Sequence, residues 1–194
     1  MADDELNTRA TLLNRLKATE QSVRELAWKD FQARYAPVIA GFARKMGAPA
    51  STVEELVQDV VSGFFEAQPR FSYDPAKGRF RGYLKTVTWR QLARRRSRVK
   101  GVSLDAVDPD DVAIEQPWND VWRSEQLKHA IAVVRNRYDN NNTFRAFESV
   151  VLNGETAEAV AKALRVNVES VYKARQRVSR ALREQLKNLE DEEG

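Results

Sequence analysis

The side chains with chemistry to offer here are cations and aromatic rings, and they lie together. Phe71, Tyr73, Arg79, Phe80, Arg81, Tyr83, Lys85, Trp89 and Arg90 interleave rings with positive charge. Such a mixture suits single-stranded nucleic acid, because rings stack on exposed bases while cations follow the backbone; each stacked base is worth roughly 1–3 kcal/mol. Residues 75–104 hold ten basic side chains and no Asp or Glu. A second basic block, residues 162–183, carries Lys162, Arg165, Lys173, Arg175, Arg177, Arg180 and Arg183 against Glu169. Between the blocks the sign reverses, with Asp105, Asp108, Asp110, Asp111, Glu115, Asp120 and Glu125 against Arg123 alone. One basic block reads equally well as a solvated helix face. Two, separated by an acidic link, predict two surfaces for a polyanion.

Enzymatic chemistry has little material. The chain has no cysteine, which removes a disulfide scaffold, a thiolate metal site and a Cys nucleophile. Its one histidine, His129, cannot build a multi-His metal centre, and a Ser-His-Asp triad would rest on it alone. It sits between Lys128 and Ala130 and reads as a surface or interface residue. The carboxylates gather in the link and in the tail ending LEDEEG, poor places for a preorganised metal site. No catalytic residue, metal or cofactor is therefore expected. No run of 18 apolar residues occurs, and the opening MADDELNTRA is acidic and polar, so neither a membrane span nor a signal peptide is expected and the cytoplasm is the default compartment.

With 194 residues, 42% apolar and 31% charged, the chain suits one ordinary domain or two small ones. Eight glycines, six prolines and no clean period-two alternation predict an all-α protein. Thr8 is placed to cap a short helix with Leu12, Leu13 and Leu16. A helix over about 23–46 is expected to break or kink near Pro37. Gly47-Ala48-Pro49 ends it, and Ser51 with Glu54 has the spacing of a capping box for a helix bearing Leu56, Val57, Val60, Val61, Phe64 and Phe65. Residues 71–78 read as a loop, and a basic helix follows over about 80–98. On that helix Phe80, Leu84, Val87 and Gln91 share a face, which buries Phe80 and turns Trp89 outward among charges. Residues 101–120 read as a linker whose aliphatic residues, with Trp118 and Trp122, suggest docking rather than free wandering. Helical pattern resumes over about 118–137. Residues 139–142 form a turn, and Thr143 is placed to cap a helix through Leu152, ended by Asn153-Gly154.

The sharpest local pattern is TAEAVAKALRVNVESVYKARQRVSRALREQL from Thr156. Thr156 is a good N-cap for a short helix with Val160, Ala161 and Leu164. Arg165-Val166-Asn167 makes a tight turn, and a second helix runs over about 168–189. This is a helix-turn-helix pattern. At 100° per residue Val171, Ala174, Val178 and Leu182 form one inward stripe. Lys173, Gln176, Arg177, Arg180 and Arg183 then project outward, flanked by Ser170 and Tyr172. Arg pairs with guanine and Gln with adenine in a major groove, and cations further along meet phosphates.

Read together, the two halves resemble a known family. The stretch ELVQDVVSGFFEAQPRFSYDPAKGRFRGYLKTVTWRQLARRR resembles region two of bacterial RNA polymerase sigma factors, and the C-terminal helix-turn-helix is similar to their region four. The short acidic link with no intervening domain is similar to the extracytoplasmic-function (ECF) group. TLLNRLK, followed by Trp28, Phe31, Tyr35 and Pro37, and the block GRFRGYLKTVTWR look most like ECF sigmas abundant in planctomycete-like bacteria. The resemblance spans about residues 8–189. It implies an N-terminal extension over 1–24, region two over 25–100, an acidic linker over 101–120 and region four over 121–194.

The resemblance also implies partners and roles. Glu55, Leu56, Gln58 and Asp59 would hold the clamp helices of the polymerase β′ subunit, with the β flap as a further core contact. Phe71, Tyr73, Arg79, Arg81 and Tyr83 would take up the melted −10 strand, and Lys85, Thr86, Trp89, Arg90 and Arg94 would lie over the −10 element. Ser170, Tyr172, Lys173, Gln176, Arg177 and Arg180 would read the −35 element as duplex. An anti-sigma protein is a further partner the family allows. Relatives often have Gly at position 165 of the turn, where Arg costs more if the residue needs a positive φ. The competing reading is a stand-alone helix-turn-helix regulator, which would bind a palindromic operator as a dimer without polymerase.

Overall fold

The computed structural model describes residues 11–68, 80–100, 111–138 and 142–191. Among them every regular element is helical: α1 Thr11–Arg15, α2 Gln21–Lys45, α3 Ala50–Ala67, α4 Phe80–Lys100, α5 Val112–Arg137, α6 Asn142–Phe147, a π-helical turn Glu148–Leu152, α7 Ala157–Leu164 and α8 Val168–Asp191. The all-α expectation holds. The chain divides into two compact units, the first holding the chain up to Glu125 together with Asp191–Gly194 and the second spanning Gln126–Glu190.

The first unit is built around aromatic rings. Phe31 of α2 stacks on Phe64 of α3 with centroids 4.8 Å apart, and Phe80 of α4 meets Phe64 edge-on at 5.4 Å and Tyr35 at 5.2 Å. These rings fix the start of the basic helix against α2 and α3. Offset and edge-on ring pairs of this kind add about 0.5–1.5 kcal/mol beyond their burial. Helix α2 runs unbroken through Pro37. The missing N–H removes one intrahelical bond, and buried Tyr35, Val38 and Ile39 on either side keep the helix packed. It stops at Gly47, whose φ of +82° admits the left-handed turn. There the Gly47 N–H donates to the Arg44 carbonyl at 2.8 Å and the Ala48 N–H to the Ala43 carbonyl at 2.9 Å. Gly41 is required for another reason: a Cβ there would lie 2.8 Å from Cγ1 of Val121 on α5.

Three local expectations are corrected. The capping box is absent: α3 begins at Ala50 after Pro49, and the Thr52 hydroxyl donates back to the Pro49 carbonyl at 2.9 Å. Thr143 lies inside α6, which begins at Asn142. The linker expected over 101–120 is helical from Val112 onward. Asp111 is the reason. Its Oδ1 accepts the Ala113 N–H at 2.8 Å, and its carbonyl accepts the N–H groups of Ile114 and Glu115. An acidic cap at a helix N-terminus is worth about 1 kcal/mol. The new helix seats Ile114, Trp118 and Trp122 in the first unit's core. Residues 101–110 and the cap proposed at Thr8 lie outside the described residues.

The second unit has two small cores. Ala130, Val134, Phe144, Phe147, Val178 and Leu182 make one, and Ala146, Ala157, Val160, Ala161, Val171 and Ala174 the other. Small side chains from α7 and α8 dominate the second. The inward stripe read from the sequence is the observed one, since Val171, Ala174, Val178 and Leu182 are all buried.

Candidate nucleic-acid interface

Helix α4 carries the first candidate surface. Its buried positions are Phe80, Leu84, Lys85, Thr88, Trp89, Leu92 and Ala93. This stripe is rotated from the sequence reading because Thr88 sits at its centre. The Thr88 hydroxyl donates to the Leu84 carbonyl at 2.7 Å, so a polar residue is buried with its hydrogen bond made. Two residues of the expected site turn inward as a result. Trp89, expected to face outward, is 4% exposed and belongs to the core. Lys85, expected to lie over DNA, is 6% exposed, and its ammonium donates to the Glu115 carboxylate. A buried ammonium costs several kcal/mol unless paired, on the order of the penalty for any buried ion.

The remaining residues of this group divide by exposure. Arg90 and Arg94 are exposed on α4, while Arg81, Tyr83 and Thr86 are half-buried. The Arg81 guanidinium donates to the Asn119 side-chain carbonyl and lies over the Trp122 ring at 5.4 Å. Tyr83 rests against Phe64 and Phe80 at 5.9 Å each, and burial pushes its phenol above the usual tyrosine range. The Thr86 hydroxyl donates to the Gly82 carbonyl at 3.0 Å. Phe71, Tyr73 and Arg79 lie outside the described residues.

Helix α3 carries the second group. Glu55, Gln58 and Asp59 are exposed, on the side opposite Val53, Leu56, Val60 and Phe64. Leu56, expected to touch a partner, is 1% exposed and packs inward, because it falls on the apolar stripe of its helix. Both carboxylates are held by Arg95 of α4, which Nη1 ties to Glu55 at 3.0 Å while Nη2 reaches Asp59. The hydrogen bond to Glu55 first, and the pairing with Asp59, hold the guanidinium above its usual range. Sequence reasoning missed this link, since nothing in the spacing of Glu55 and Arg95 announces it.

The third group is the helix pair of the second unit. Thr156 caps α7, its hydroxyl accepting the Ala159 N–H at 3.2 Å, as the sequence implied. Arg165 then takes φ +54° and ψ +45°, the left-handed conformation. Val166 N–H donates to the Ala161 carbonyl at 3.0 Å and closes the turn. Asn167 caps α8 through Oδ1, which accepts the Ser170 N–H at 2.7 Å. The outer face of α8 is what remains: Ser170, Tyr172, Lys173, Gln176, Arg177 and Arg180 are all exposed, joined by Arg175. Lys173 pairs with Glu169 at 2.6 Å, one turn earlier on the same helix, a contact that water and phosphate both compete for.

The geometry thus gives two separate cationic helices, one in each unit. No described helix is long and apolar enough to cross a membrane. No curated protein and no solved structure significantly matches the chain. Residues 31–101, from inside α2 to just beyond α4, match the family model for Sigma-70 region 2. The first unit therefore carries a segment similar to Sigma-70 region 2.

Proposed function

We propose that this chain is a sigma factor of the ECF type, close to the planctomycete-like kind. It directs core RNA polymerase to particular promoters and aids strand opening. The carrying observation is the Sigma-70 region 2 match over residues 31–101. A second unit with a capped helix pair and an exposed basic second helix supports the reading. In it, the exposed residues of α3, Glu55, Gln58 and Asp59, meet the β′ clamp helices, and the second unit acts as region four, meeting the β flap. Arg90 and Arg94 approach the opened −10 strand, and Phe71, Tyr73 and Arg79 join them from the preceding segment. Lys173, Gln176, Arg177 and Arg180 read a −35 duplex, with Ser170 and Tyr172 at the edge. Capture of unpaired bases offsets the cost of unstacking them, so no bond-making step is assigned to the chain. An anti-sigma protein covering either surface would silence it, and polymerase binding would bring the chain to the nucleoid.

The test is reconstitution with core polymerase on a genomic promoter library, followed by mapping of transcript starts. The reading requires co-elution with core and initiation confined to a shared promoter sequence. Failure to bind core, together with tight operator binding by the chain alone, would establish the regulator instead.

A further inference from the structure

The start of α5 lies against the start of α4, and the two helices meet through complementary side chains. Glu115 accepts from the Lys85 ammonium, and Asn119 accepts from the Arg81 guanidinium. Arg81, Lys85, Glu115, Asn119 and Arg123 stand around one cavity of about 300 Å³. We infer that Glu115 is an internal stand-in for a DNA phosphate: it occupies Lys85 until a backbone phosphate of an opened strand takes its place in this cavity. The inference rests on the promoter-opening function proposed above.

Three observations carry it. The pair is lopsided, with the Lys85 side chain 7% exposed and that of Glu115 41% exposed. The cation is fixed inside the fold, and its anion reaches it from the solvent side. A buried ammonium needs an anion, and a diester phosphate arriving from solvent meets that need as a carboxylate does. The helix bearing Glu115 is anchored independently. Ile114, Trp118 and Trp122 are buried in the core, and Lys45 Nζ holds Asp120 at 2.6 Å. Exchange thus requires only that the Glu115 side chain swing aside, with α5 staying in place. Arg123, exposed on the same wall, adds a third positive charge where the phosphate would arrive.

The experiment uses the full chain and a fluorescently labelled 20-mer of thymidylate, with binding read by anisotropy across a salt series. Glu115→Gln keeps the size of the side chain and removes its charge. Its affinity for the single strand should rise about two- to fivefold at low salt, as loss of one competing ion pair implies. The slope of log K against log salt should stay the same, because the phosphate contact at Lys85 forms in both proteins once Glu115 is displaced. A Lys85→Met/Glu115→Gln double variant, uncharged at both positions, should lose the gain. If Glu115→Gln matches the wild type in affinity while both bind, the stand-in role is overturned and the promoter reading stands. If the gain persists in the double variant, Lys85 is not the seat and the inference again falls. If no form binds the single strand, the stand-in role falls and the promoter-opening reading falls with it.

Discussion

Arg95 of α4 donates from Nη1 to Oε2 of Glu55 on α3 at 3.0 Å, and from its other terminal nitrogen to Asp59 one turn further along. A residue in the middle of the most basic stretch of the chain is thus turned towards the protein rather than towards a polyanion. Its own side chain is 20% exposed, while Glu55 and Asp59 are 68% and 46% exposed, so water weakens both bonds. Replacing Arg95 by Met keeps the alkyl stem and removes the charge. We expect a loss of about 1 kcal/mol in unfolding free energy, the scale of a partly solvated ion pair. Urea titration reads it, and an unchanged midpoint would show that the bridge contributes nothing.

Tyr83 predicts a pH effect. Burial raises its phenol, so between the unfolded and folded values the native state holds a proton that the unfolded state has released. Stability is fully present below the ordinary tyrosine value near 10 and falls as pH rises through the folded value. Tyr83→Phe should flatten that part of the fall while leaving neutral-pH stability nearly unchanged. Urea midpoints between about pH 9 and 11 for the two proteins make the comparison, using the tyrosine reference value as the centre of the window. Parallel curves would remove Tyr83 as the cause.

Arg165 carries the left-handed turn between α7 and α8 without being glycine. A side chain at φ +54° crowds its own backbone. Arg165→Gly relieves this and should stabilise the second unit by about 0.5–1 kcal/mol, partly offset by the greater freedom of glycine in the unfolded chain. Thermal unfolding measures it. A lower midpoint would mean that the arginine makes a compensating contact.

The sequence announced most of the helices, because apolar residues recur at helical spacing and the cap at Thr156 uses ordinary polar chemistry. The outward face of α8 was legible for the same reason: its inward stripe is uninterrupted, and what lies opposite must be solvated. The face of α4 was not. Thr88 occupies the centre of the buried stripe by bonding to its own helix, which disguised the stripe and set Trp89 on the wrong side. The burial of Lys85 was not legible because its partner, Glu115, is 30 residues away in a stretch that composition marks as linker. Leu56 shows the converse, since spacing left the apolar positions of residues 56–65 open between burial and exposure, the family resemblance pointed out, and the structure buries it. Pairings between distant charged residues depend on tertiary packing, which no local periodicity encodes.

The two proposed surfaces make separable predictions. Lys173 and Arg177 are exposed on α8, clear of the inward stripe formed by Val171, Ala174, Val178 and Leu182. Replacing both by Ala therefore leaves the packing of the second unit intact. A bidentate arginine contact to guanine discriminates by about 1–3 kcal/mol, so the double variant should lose roughly ten- to a hundredfold in selectivity for the −35 sequence. Its affinity for core polymerase should stay within twofold of the wild type, about the scatter of a neutral surface change. Gln58→Ala with Asp59→Ala should behave in the opposite way, weakening core binding while duplex selectivity persists. Gln58 and Asp59 lie on α3 in the first unit, and Lys173 and Arg177 lie in the second. Core binding by native gel and promoter selectivity by competition footprinting test the four residues in two assays. If both variants lose both properties to the same extent, the division of labour between the two helical units is wrong.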